Sequence, residues 1–148
     1  MPSAWYDVMP LMAINQAASR VAHENAFDLV RENARWVANR DIHGVYRFLL
    51  KLASPELVAR KLPRASLQYL GFGRAEGELV GSRHFRVLHS GIPRPLVSWF
   101  SACVEGFAPM ALEIAGASKT QLSSRVVGAD GELFGVPLVQ ILHDLSWE

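Results

Sequence analysis

Between positions 96 and 114 the residues Leu96, Trp99, Phe100, Cys103, Phe107, Met110, Ala111 and Ile114 recur at steps of three and four. That spacing stacks them along one face of a single helix. An aromatic stripe of this width has to bury itself against another surface, and its neighbours in sequence have the period of that surface. Residues 78–89 alternate, with Leu79, Gly81, Arg83, Phe85 and Val87 on one side and Val80, Ser82, His84, Arg86 and Leu88 on the other. Towards the C-terminus Val139, Ile141, His143, Leu145 and Trp147 alternate in the same way. Period two is the signature of strands with one face buried. A helix lying between two such regions implies an α+β fold, in which one long helix crosses a four-stranded antiparallel sheet made of two hairpins.

Ahead of these strands the signals are helical. Residues 7–22 carry Val8, Leu11, Met12 and Ala18 at helical steps, with Pro10 in the first turn. Residues 25–39 place Phe27, Val30, Ala34 and Val37 on one stripe and Arg31, Glu32 and Arg35 elsewhere. Asp41 reads as the cap of a helix over 43–52, and Ser54-Pro55-Glu56 opens another that Pro63 is expected to stop near Lys61. The chain is thus read as one domain over 1–148, with a helical part over 1–63 and the sheet with its helix over 64–148.

Residues 67–72 are also expected to form a strand, and three glycines, Gly71, Gly73 and Gly77, fall at its end and before the alternating stretch that begins at Glu78. A dinucleotide loop must open a helix, so that backbone amides at its N-terminus meet the phosphates. Here a strand follows instead, and no Lys-Ser or Lys-Thr pair completes a P-loop. The glycines are therefore expected to form the link of the first hairpin, with Ala129-Asp130-Gly131 turning the second. Gly106 and Pro109 are expected to bend or break the aromatic helix, and Gly116 to end it.

Fifteen basic residues against fourteen acidic ones leave a formal charge of +1 without long runs of one sign, so binding to nucleic acid or to an anionic membrane surface is not indicated. Cys103 is the single cysteine, which fits a reducing compartment. The first residues do not read as a secretory signal, and no uninterrupted apolar run is long enough to span a bilayer. These features point to a cytoplasmic chain.

No strong catalytic or metal motif is present. His84 and His89 stand five apart on one strand, which sends them to opposite faces and makes them poor co-ligands for one metal. His84 and His143 are the candidate general bases of an enzyme acting on a hydrophobic molecule, although Asp144 should face away from its neighbour His143. His23 and His43 stand alone on helices. Cys103, among aromatic residues, is expected to be an inert thiol. An apolar cavity between helix and sheet is the better candidate site, and Tyr69, Phe85, Trp99, Phe100, Cys103, Phe107 and Met110 are its candidate lining. No cofactor and no metal is expected. The partners expected are a small apolar ligand, a signalling protein, or a second copy of the chain joined through Trp5, Tyr6 and a last-strand edge that includes Val139 and Ile141.

Trp5-Tyr6, the Leu52-Ala53-Ser54-Pro55 step, Tyr69, Glu105-Gly106-Phe107, Ala115-Gly116-Ala117 and Leu145-Ser146-Trp147 resemble a paralogous family of uncharacterised myxobacterial domains. The order of helices, hairpin, glycine-containing helix and second hairpin is similar, more distantly, to small-molecule-binding domains of the 4-vinyl-reductase and haem-nitric-oxide-binding type. That resemblance implies a non-enzymatic sensory or adaptor domain. The chain departs from the type in lacking C-terminal cysteines and a Tyr-x-Ser-x-Arg motif with its proximal histidine, which is why haem is not expected.

Overall fold

The computed structural model describes residues 8–42 and 52–148, with backbone alone for 65–68. The helix expected over 43–52, together with Trp5, Tyr6 and His43, lies outside the described residues. Helix α1 (Val8–Ala22) carries Pro10 in its first turn, where the missing amide has no intrahelical role to lose. Helix α2 (Ala26–Asp41) is capped by Asn25, whose side-chain oxygen accepts from the Phe27 amide at 2.9 Å. Helix α3 (Pro55–Tyr69) begins on the expected Ser54 cap, where the hydroxyl accepts from the Leu57 amide at 3.3 Å.

Pro63 does not stop α3, which continues two turns further, to Tyr69. The proline is buried, and Gly77 makes room for it: a Cβ at 77 would lie 2.9 Å from Pro63 Cγ and 2.6 Å from Phe85 Cζ. Packing of α3 on the first hairpin outweighs the lost helical hydrogen bond.

Strands β1 (Arg74–Gly81), β2 (His84–Pro93), β3 (Gln121–Leu133) and β4 (Val136–Ser146) form one antiparallel sheet in the order β1-β2-β4-β3. The four-stranded α+β architecture is as expected, but both turns fall elsewhere. The first hairpin turns at Ser82-Arg83, with Arg83 at φ +83°, while residues 67–69 belong to α3 and Gly73 (φ +81°) leads into β1. The second turns at Phe134-Gly135, at φ +50° and +78°, the backbone pattern of a two-residue type I′ link. Ala129-Asp130-Gly131 lies instead at a register shift within β3.

Between the hairpins, a 3₁₀ turn (Arg94–Leu96) leads into α4 (Val97–Ile114), which runs through Gly106 and Pro109 without a break. Gly106 lets α4 pack closely on α2, since a Cβ there would collide with the Arg31 carbonyl and lie 2.8 Å from Ala34 Cβ. Ion pairs flank the crossing, Arg31 to Glu105 at 2.6 Å and Arg35 to Glu113. Gly116, at φ +94°, ends the helix: its amide donates to the Glu113 carbonyl and the Ala117 amide to the Leu112 carbonyl, both at 3.0 Å. By length and composition Arg94–Ile114 would also suffice to cross a membrane, which counting uninterrupted runs did not reveal. Half of its most apolar window is buried within the protein.

The inner face of the sheet is the one read from period two. Phe85, Val87 and His89 on β2, and Val139, Ile141, His143 and Leu145 on β4, are all buried, as is Trp147 just beyond β4. This excludes β4 as a dimerising edge. It is an inner strand between β2 and β3, and Val139 and Ile141 are 2% and 0% exposed, so a lysine at either position tests core packing and not assembly.

Candidate functional site

Two groups of buried residues make the core. One surrounds Phe85, Leu112 and Leu145, the other Phe100, Ile92 and Ile141. A cavity of about 500 Å³ draws its walls from both groups. Helix α2 contributes Val30, Asn33, Ala34, Trp36 and Val37, and α1 adds Leu11 and Asn15. Leu62 and Tyr69 come from α3. Trp99, Phe100, Cys103, Val104, Phe107 and Ala108 come from α4, and Val87, His89, Leu122, His143 and Leu145 from the sheet. The volume lies within the range of roughly 300–1,000 Å³ usual for small-molecule sites. Among the described residues, no Asp, Glu, Lys or Arg lines it.

Of the seven residues expected to line a cavity, Tyr69, Trp99, Phe100, Cys103 and Phe107 lie on this wall. Phe85 and Met110 do not: Phe85 is 1% exposed in the core against α3, and Met110 packs on the same group. Tyr69 meets Phe107 edge-on, with ring centroids 5.7 Å apart, and its hydroxyl lies 3.5 Å from the Asp41 carboxylate. Burial is the main cause that raises the Tyr69 pKa. Burial also pushes the Cys103 thiol up to about 12, leaving it protonated at neutral pH.

The polar feature of the wall is a pair of imidazoles. Alternation turns His89 inward on β2 and His143 inward on β4, and their rings meet edge-to-face with centroids 4.9 Å apart. Phe100 packs against both, at 4.9 Å from His89 and 5.8 Å from His143. Burial pulls His89 down to about 4; for His143, burial and then the neighbouring His89 pull it down to about 3. Both are neutral at pH 7. Ser124, the cross-strand partner of His143 on β3, is hydrogen-bonded to His143 Nδ1 at 2.9 Å. The other ring nitrogen, Nε2, is shut from water and has no hydrogen-bond partner, as has Trp99 Nε1.

His84 occupies the opposite face of the sheet, outside the cavity. There it bonds to Asp144, which also accepts from Arg86 Nε at 2.8 Å. The Arg86 hydrogen bond, helped by His84, holds the Asp144 carboxyl below the usual carboxylate range. The two candidate bases are therefore not brought together, and His143 is separated from Asp144 by the sheet itself. His23, at φ +57° in the turn between α1 and α2, is also not on the cavity wall.

Sequence reasoning missed His89 as part of this wall and Ser124 as the partner of His143, along with the whole contribution of α1 and α2. Inward alternation marks His89 as buried, but only the β2–β4 register, which pairs Val87 with His143, brings the two imidazoles side by side.

No protein-family model matches the chain, and no curated protein does. Solved structures do. An H-NOX protein from S. oneidensis in the Fe(II)NO state superposes with a TM-score of 0.70 at 14% identity, covering 100% of this chain and 79% of that one. A mutant H-NOX of T. tengcongensis gives 0.62 at 15% identity, covering 100% and 78%. An oxygen-binding H-NOX domain related to soluble guanylate cyclases, in its oxygen complex, gives 0.61 at 15%, covering 100% and 76%. The chain thus has an H-NOX-like fold, in agreement with the more distant of the two resemblances. The family of uncharacterised myxobacterial domains gains no support from these comparisons. The expectation of no cofactor is corrected, because the neighbours include a structure concerned with haem distortion in the H-NOX family and another concerned with haem redox potential and porphyrin distortion.

Proposed function

We propose that this chain is a non-enzymatic sensory domain that holds haem in the cavity between its helices and its sheet. The observation that carries the reading is the apolar cavity of about 500 Å³ between helices and sheet, with two imidazoles held neutral by burial in its wall. The residues present fit the group in three respects. Aromatic and aliphatic side chains suit the body of a porphyrin, and the lining is free of charge among the described residues. Neutral imidazole is the form that ligates iron, and His89 and His143 are the described histidines on the wall. Half-exposed Trp36 belongs to both wall and surface, and the Arg40 guanidinium lies 4.7 Å from its ring centroid, so a cation stands near the rim for an acidic edge group. When bound, haem supplies an iron centre for a small ligand. The chain's own contribution is to bury it and to exclude water.

Titration of the purified chain with hemin tests the proposal. A Soret band saturating at one haem per chain, with the matching mass in native mass spectrometry, is the expected result. A spectrum no different from free hemin at every ratio would overturn the reading.

A further inference from the structure

We propose that the outer face of the sheet is an interface with a second copy of this chain, the two sheets packing face to face about a two-fold axis that runs along the strands. The proposal stands apart from the haem reading.

The described helices pack on the inner face of the sheet, where the cavity also lies. On the outer face the register lines up residues from all four strands. One row is Glu76 on β1, Leu88 on β2, Leu142 on β4 and Arg125 on β3. The next is Glu78, Arg86, Asp144 and Ser123, taken in the same strand order. The face thus has acidic groups along β1, a basic group on β3 and two leucines between them. Leu88 and Leu142 are half-buried and line a hollow of about 360 Å³, together with Glu76, Glu78 and Arg86. Glu76, Glu78 and Arg125 are exposed, and none of them forms an ion pair with another described residue.

In an isologous dimer every contact occurs twice, so a face that meets itself must be its own complement under the two-fold. Both rows meet that condition when the axis runs along the strands, because β1 then lies over the partner's β3 and β2 over the partner's β4. Glu76 faces the partner's Arg125, Leu88 faces the partner's Leu142, and Arg86 faces the partner's Asp144. Symmetry repeats each of these contacts. An axis across the strands would instead set β1 over β1, and so bring the Glu76 and Glu78 carboxylates against their own copies, an arrangement that like-charge repulsion disfavours. Sheets packed face to face lie about 10 Å apart with their strands nearly aligned, a gap that leucine and arginine side chains fill. A second copy therefore covers both leucines and supplies a counter-charge to Glu76 and to Arg125. The contact is made through a face and leaves β4 inside its sheet.

Sedimentation velocity of the full chain from micromolar to millimolar concentration tests the proposal. A reversible monomer–dimer equilibrium that weakens as ionic strength rises is the expected result. Each substitution enters the dimer twice, so Glu76→Arg and Arg125→Glu are each expected to weaken dimerisation about 10- to 100-fold. Mixed in equal amounts, the two variants are expected to form a heterodimer as tight as the wild-type dimer, because both cross-pairs are restored. Circular dichroism checks that each variant is folded. Should a reversal fail to fold, Glu76→Gln and Arg125→Gln carry the test, each expected to weaken the dimer by a smaller factor. A wild type that stays monomeric throughout would overturn the proposal and leave the face to an unlike protein. A dimer that none of these substitutions disturbs would place the interface elsewhere and overturn it too. Reversals that weaken the dimer singly but are not rescued by mixing would overturn the two-fold arrangement.

Discussion

Acid should destabilise the haem-free protein through His89 and His143, by an amount that can be worked out. In the unfolded chain both imidazoles titrate near the ordinary value of about 6.5. In the folded chain they are held down to about 4 and about 3. Their contribution to stability is therefore complete above pH 6.5. It is lost as pH falls below that value, because the unfolded chain takes up protons that the folded chain refuses. Each unit of pH below 6.5 costs about 1.4 kcal/mol per histidine, so pH 5 removes about 2 kcal/mol for each and about 4 kcal/mol for the pair. Against a domain stability of roughly 5–15 kcal/mol that is a large share. Urea unfolding at pH 7 and pH 5, on the wild type and on the double variant His89→Gln/His143→Gln, measures it. The variant should begin less stable at pH 7 but lose about 4 kcal/mol less on acidification. An equal loss in both proteins would refute the reasoning, since the acid sensitivity would then lie in other groups.

Other predictions concern packing, reactivity and strain. Gly106→Ala should cost about 1–3 kcal/mol in thermal or chemical unfolding, because its Cβ meets the Arg31 carbonyl and forces α2 away from α4. Cys103, with its thiol pushed up to about 12, should resist a thiol-specific disulfide reagent at pH 8 and react at once in denaturant. Phe134 is 96% exposed at φ +50°, so Phe134→Asn should raise the melting temperature, asparagine being at ease in the left-handed region.

How much of this was legible from sequence depended on whether a feature answers to its neighbours along the chain or across space. Helix α4 and the inward row of β4 were legible, because a stripe at steps of three and four and an alternation of five residues are local statements about one face. The Ser54 cap and the Gly116 stop were legible for the same reason. Pro63 was misread because its helix is sustained by Gly77 and Phe85, residues on another element. The turns were misplaced because glycine was followed to where it is abundant, whereas Arg83 and Phe134 carry positive φ without being glycine. Asp130, expected in a turn, instead accepts from the Gly91 amide at 2.6 Å and from Gln140 at 3.3 Å, and so holds the register shifts of β2 and β3 together. The aromatic half of the cavity was visible in α4. The imidazole pair was not, since periodicity says that a face is buried but not which residue of another strand lies beside it.

The central claim is that the space between helices and sheet is the ligand site. Val37 stands on its wall, half-buried, and Val80 lies on β1 away from it. Hemin titration of Val37→Trp and Val80→Trp, each checked for folding by circular dichroism, tests the claim most directly. The account predicts that Val37→Trp abolishes the stoichiometric Soret band and Val80→Trp keeps it. Full haem uptake by a folded Val37→Trp would contradict it.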